Sequence, residues 1–144
     1  MTKSDWMDLT VLERKKYNCL SEVLDLSQQL GEAMDRNDDV SVRMLVAMRQ
    51  DPLLQLQELK RAVDTKRESL SQEDRDRLSA LNQGAPPQEG EETAYQGQAG
   101  SVRRLLERVL ELDERLNRRL AGGNSFYAQK KERLSPLRCR GDSL

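Results

Sequence analysis

The side chains able to carry reaction chemistry are few in this chain and poorly placed for it. Histidine is absent, which removes the group most used for proton transfer near neutral pH and the commonest transition-metal ligand. Cys19 and Cys139 stand far apart and form no Cys-x-x-Cys. They read as free thiols of a reducing compartment, Cys19 as a small buried apolar residue and Cys139 as an incidental one; a bridge between them is disfavoured. The serines have no histidine to activate them. Asp38/Asp39 and Glu91/Glu92 lack the spacing of a metal-binding loop and read as solvated carboxylates. Gly122-Gly123 follows a helical pattern, whereas phosphate-cradling glycines precede one. Arg140-Gly141-Asp142 is a chance tripeptide where no secretory segment is recognised. No catalytic residue, cofactor or metal ligand is expected, and the chain is expected not to be an enzyme.

What remains is apolar periodicity. Apolar residues make up 36% of the 144 and charged residues 34%, with 3% aromatic. That balance suits long solvated helices with narrow apolar seams and disfavours a β-sandwich or barrel. A first helix is predicted over residues 4–36, with Ser4 as cap. Trp6, Leu9, Leu12, Tyr17, Leu20, Val23, Leu24, Leu30 and Met34 share its helical period. Such a helix would be about 48 Å long, so the molecule should be elongated. The polar turn Asn37-Asp38-Asp39 then reverses the chain into a second apolar run, Val42, Leu45, Val46, Met48, Leu53, Leu56, Leu59 and Val63. Two stripes joined by a short polar turn face each other as an antiparallel hairpin. The second helix is predicted over 39–82. Asp51-Pro52 either kinks it or restarts it, with the near-continuous kinked form favoured by the unbroken stripe. Ser71-Gln72-Glu73-Asp74 signals a further cap.

Residues 84–100 hold glycine, proline and glutamate without an apolar period and are predicted as a flexible linker, placing residues 1–83 in one hairpin. From Ser101, taken as a cap, a last helix carries Val102, Leu105, Val109, Leu112 and Leu116 at coiled-coil spacing, widened by Leu106, Leu110 and Leu120. So broad a stripe needs more than one neighbour. The 101–144 segment, a helix plus tail, is expected to pack on the hairpin as one domain. Ala121-Gly122-Gly123-Asn124 stops the helix. Ser125 starts a short amphipathic stretch to Leu134, anchored by Phe126 and Tyr127, and Ser135-Pro136 ends it. The fold class is therefore all-α: an elongated antiparallel helical hairpin or bundle with coiled-coil character.

Charge is uneven. Residues 1–101 carry a net of −6 and residues 102–144 a net of +5, so the two parts attract each other or the basic part meets an acidic partner. Basic residues alternate with acids and few aromatics lie among them, which disfavours nucleic acid. No apolar run reaches the roughly 20 residues of a membrane span. A cytoplasmic protein is expected. Met34, Met44 and Met48 gather near the turn. They either fill gaps in the core or line an adaptable binding groove.

Several of these segments resemble a known family. Val23-Leu24-Asp25-Leu26-Ser27-Gln28-Gln29-Leu30, Ala33-Met34, the turn Asn37-Asp38-Asp39 and Leu45-Val46-Ala47-Met48-Arg49-Gln50 are similar to the first hairpin of bacterial flagellar export chaperones, both FlgN-like and FliT-like. Leu105-Leu106-Glu107-Arg108-Val109-Leu110-Glu111-Leu112-Asp113 resembles a later helix of the same chaperones. The chain departs from the family's pattern at Pro52, in the 84–100 segment and in its tail. The resemblance implies a cytoplasmic chaperone that binds a secreted flagellar axial subunit, hook–filament junction or filament cap, and keeps it export-competent without a cofactor. It implies client contact on the last helix, at Val102, Leu105, Leu106, Val109, Leu112, Leu116 and Leu120. The alternative is a structural coiled coil that self-associates, as a homodimer, through that seam, or a helical adaptor without chaperone activity.

Overall fold

The computed structural model describes residues 1–121, and within them five helices account for all regular structure. These are α1 (Lys3–Asp35), α2 (Asp39–Met48), α3 (Gln50–Glu68), α4 (Gln72–Asn82) and α5 (Gly90–Ala121). The chain is all-α. The readings of Gly122-Gly123, Phe126, Tyr127, Ser135-Pro136, Cys139 and Arg140-Gly141-Asp142 lie outside the described residues.

Thr2, not Ser4, caps α1. Its hydroxyl accepts from the Asp5 amide at 3.1 Å, and the Asp5 carboxylate accepts from the Thr2 amide at 2.9 Å. The reciprocal pair satisfies two amides that the first turn leaves open. At the other end, Asn37 adopts a left-handed φ of 55°. Asn37 and Asp38 donate to the Met34 and Ala33 carbonyls, which closes the helix in the left-handed manner that asparagine tolerates. Asp38 then caps α2 by accepting from the Ser41 amide at 3.1 Å and its hydroxyl at 2.6 Å. Those bonds hold the Asp38 carboxyl below its usual range.

The buried residues of α1 include Trp6, Leu9, Glu13, Lys16, Leu20, Val23, Ser27, Leu30 and Met34, three and four apart without a break. α5 repeats this with Glu92, Tyr95, Ala99, Val102, Leu106, Val109, Asp113, Leu116 and Leu120. Such spacing keeps a seam in line along a helix. The two seams run in the same direction. The Trp6 and Tyr95 rings lie 5.5 Å apart at one end, and Arg119 reaches Asp35 at 2.8 Å at the other. α2 and α3 run the opposite way between those ends: Val42 joins Leu30 and Met34, and Val63 joins Trp6 and Leu9. Each helix thus leaves the neighbouring seams covered along a rod whose longest element, at 33 residues, is about 50 Å.

Three features differ from the sequence expectation. Helix 39–82 is three elements. Pro52 has no amide to give the Met48 carbonyl, so α2 ends there and α3 begins at Gln50, although Arg49 between them keeps a helical backbone (φ −67°, ψ −18°). After Ser69 the chain turns, and α4 runs alongside the first turns of α5, with Arg77 on Glu92 and Gln96 donating to the Leu81 carbonyl. The linker expected over 84–100 is a loop only to Glu89; Gly90 to Gly100 is helix, and Ser101 sits inside it, its hydroxyl donating to the Gly97 carbonyl. Gly97 and Gly100 cost helix propensity of about 1 kcal/mol each. Burial of Tyr95 against Trp6, and of Glu92 beside Arg77, offsets that cost. Tyr17, placed on the seam by sequence, faces outward.

The apolar core is not continuous. It forms three clusters, and polar side chains stand at seam positions between them. Glu13 and Lys16, joined at 3.0 Å, separate the Trp6 cluster from the Leu20 cluster. Ser27, Arg49, Asp113 and Asn117 separate the Leu20 cluster from the Leu30 cluster. Arg49 Nη2 and Asp113 Oδ1 are 3.5 Å apart with both side chains fully buried. Burial pulls the Arg49 pKa down and Asp113 opposes that shift. Arg49 Nε and Nη1, Ser27 Oγ and Asn117 Oδ1 have no protein partner.

Removing one member of such a pair strands the other charge. Asp113→Leu takes its carboxylate away from the buried Arg49 guanidinium and should therefore destabilise the chain by about 3–5 kcal/mol. Arg49→Met with Asp113→Leu should recover most of it, as read by urea titration of helicity. Where α3 returns to the start of α1, Lys66 donates to Asp5 at 2.7 Å and holds its carboxyl down at about 2, from 3.8. A depressed carboxylate stabilises the fold above pH 3.8 and loses that contribution as pH falls to about 2. Asp5→Asn should flatten the thermal-stability curve across that interval and leave it unchanged in shape near neutrality.

Candidate functional site

The seven residues of α5 expected to hold a partner are instead inside the bundle. Val102, Leu105, Leu106 and Val109 pack with Cys19, Leu20, Val23, Leu53 and Leu56. Leu116 and Leu120 pack with Leu30, Met34, Val42 and Leu45, and Leu112 is partly buried against the same cluster. The reason is the parallel course of α1 and α5: the breadth that called for several neighbours is met by α1, α2 and α3 of the same chain. In this arrangement six of the seven side chains are buried and Leu112 is partly buried, so the seam is not a free surface.

The exposed apolar surface lies elsewhere. Val40 is 77% exposed, Met44 54%, Met48 48% and Leu54 55%. Val40, Met44 and Met48 are four apart and so stack on one side of α2. Ala47 and Asp51 are exposed on the same side, and Leu54 continues it past Pro52. The stripe runs about 21 Å along the helix axis. Its opposite side supplies Val42, Leu45 and Val46 to the core. α2 is therefore apolar nearly all round, which is the pattern of a helix with neighbours on more than one side. Of the three methionines near the turn, Met34 is buried and Met44 and Met48 are exposed. The sequence reading sets Met48 on the inward stripe with Val42 and Leu45, and it passes over Val40 and Leu54; Met48 instead faces out beside Met44. The signal lies in the four-residue spacing of valine and methionine, displaced from the core stripe by nearly half a turn.

A second, smaller patch lies near the start of α1. Met7 and Val11 border a groove of about 320 Å³ whose other wall is Gly90, Glu91 and Ala94 of α5. Lys3 reaches Glu91 at 3.4 Å beside it.

Ionisable groups also gather where Glu13 and Lys16, both buried, meet Arg67, Tyr95 and the exposed Asp64 around a space of about 10 Å³. That space suits a single water at most. Tyr95 donates to Asn82 at 2.9 Å, and burial pushes its hydroxyl up to about 12. Cys19 lies against Gln55 at 3.7 Å, and burial raises its thiol pKa. Among the described residues no group of three or more metal-ligating side chains occurs, and no helix is long and apolar enough to cross a membrane. Comparison with family models, curated proteins and solved structures finds no match.

If the stripe is surface and the α5 seam is core, substitutions in the two must behave differently. Val40→Lys and Leu54→Lys should each change unfolding free energy by no more than about 0.5 kcal/mol. Leu116→Ala should cost about 2–5 kcal/mol. Urea titrations of the three variants separate the two kinds of position.

Proposed function

We propose that this chain is a helical chaperone of the flagellar export type, which binds an amphipathic segment of a secreted axial subunit and keeps it export-competent in the cytoplasm. The observation that supports this is the line of Val40, Met44, Met48 and Leu54, exposed on a bundle whose own seams are already filled. Solvent-facing apolar side chains in a row do not serve the fold. They fit an amphipathic helix that brings apolar anchors at intervals of three and four residues. Methionine suits the task because its unbranched, polarizable side chain adapts to differently shaped partners. The client surface is thus proposed on α2 and the start of α3, not on α5. Contacts of this size give micromolar binding once ordering costs are met, weak enough to release the client at the export apparatus. The resemblance of the α1–α2 turn region to flagellar chaperones supplies the class of client. The chain acts as a binding protein with no cofactor.

The test is capture of flagellar axial subunits by the purified full-length chain, read by calorimetry. Each methionine buried in a complex contributes about 1.5–3 kcal/mol. Met44→Asp with Met48→Asp should weaken capture at least about tenfold with the melting temperature unchanged. Wild-type protein that captures no axial subunit, or a double variant that binds as well as wild type, overturns the reading.

A further inference from the structure

The exposed stripe carries chemistry that is complementary to its own reverse. Its centre is Ala47, a small exposed side chain on α2. Val40 stands seven residues before Ala47 and Leu54 seven after it, and both are large, apolar and exposed. Arg43 stands four residues before and Asp51 four after, both exposed and opposite in charge. Val40, Met44, Ala47, Asp51 and Leu54 follow one another at steps of four, three, four and three, the spacing that keeps a seam in line between two helices. The helical backbone at Arg49 carries that line across the join of α2 and α3.

We infer that the resting occupant of the stripe is the same stripe on a second copy of this chain, packed antiparallel about a two-fold axis at Ala47. A two-fold contact sets each residue against the one equally far beyond the axis. Val40 then meets Leu54 of the second copy, and Arg43 meets Asp51 of the second copy, each pair occurring twice. Met44 falls between Met48 and Asp51 of the second copy, so the exposed methionines of the two chains fill one another's gaps. The two Ala47 methyl groups meet at the crossing, where small side chains let helix axes approach closely. Charge selects the direction: a parallel pair in register would set Arg43 on Arg43 and Asp51 on Asp51. Size sets the strength. The stripe is about 21 Å long and about 10 Å wide, a footprint on the order of 200 Å² on each copy. A standard stable interface takes about 800 Å² from each partner, so this dimer is weak and parts readily.

This occupant rests on reading the stripe as a binding surface, and it adds a competitor that any client must displace. Sedimentation of the purified full-length chain, from low micromolar to millimolar concentration, should show a reversible monomer–dimer equilibrium. Arg43→Asp sets two carboxylates against each other, and Asp51→Arg two guanidinium groups; each should weaken the dimer at least about tenfold. The two substitutions in one chain exchange the partners and should restore it. A chain that stays monomeric at every concentration overturns the inference. So does a dimer that the single swaps leave unchanged, since it joins through another surface. Cross-linking checks the axis in chains with Cys139→Ser, where the remaining Cys19 is buried. Ala47→Cys should give a covalent dimer under mild oxidation. Val40→Cys and Leu54→Cys chains should cross-link when mixed and not alone, because two copies of either position lie about 21 Å apart along the axis. A mixture that cross-links no better than either chain alone overturns the antiparallel pairing. These experiments omit the client, so they fail independently of the capture assay. A monomer that captures axial subunits through Met44 and Met48 removes the dimer alone. A dimer centred on Ala47 that captures nothing removes the client reading alone.

Discussion

The arrangement turns on a guanidinium and a carboxylate that meet away from water. Arg49 and Asp113 come from elements far apart in sequence, and each interrupts an otherwise apolar seam. Their net contribution to stability is small, since desolvating two charges consumes most of the attraction between them. What the pair supplies is register. A slide of α5 by one heptad would set Asp113 against leucine and leave Arg49 buried without a counter-charge. The same layer holds Ser27 on α1 and Asn117 on α5. α5 therefore has one low-energy position along α1, and that position fixes both the Trp6–Tyr95 contact at one end and the point where the chain leaves the other.

The parallel course of α1 and α5 comes from connection lengths. α3 ends beside the start of α1, so a helix beginning there can run only away from that end. α4 and the loop to Glu89 take up the lateral step. Arg77 pins the step by bonding both Glu92 and the Pro86 carbonyl, and the Gln96 amide bonds the Leu81 and Ala85 carbonyls. Gly84, with φ of 101°, takes the left-handed backbone that closes α4.

Much of this is legible in the residues. The seam of α1 and the reversal at Asn37-Asp38-Asp39 can be read directly, because periodicity and capping chemistry are local. The first turns of α5 cannot. Tyr95 and Ala99 are the only strong seam residues in a stretch dense in glycine and glutamine, and what makes that stretch helical is contact with Trp6 and Arg77, residues distant in sequence. The largest departure concerns Val102 to Leu120. Spacing shows that a stripe must be covered; it does not say whether the cover comes from the same chain. Val40 and Leu54 escape notice for the complementary reason: an apolar residue on a helix with an apolar core side looks like more core until the core is seen to be full.

The contrast between Met34 and its two neighbours has a chemical consequence. A thioether in water is open to peroxide, whereas one enclosed by Leu30 and Val42 is shielded. Conversion of Met44 and Met48 to sulfoxides would place two strongly polar groups in the middle of the stripe without disturbing the bundle beneath it. The surface is thereby made vulnerable to oxidants, and repairable by sulfoxide reductases, on a scaffold that stays folded through both.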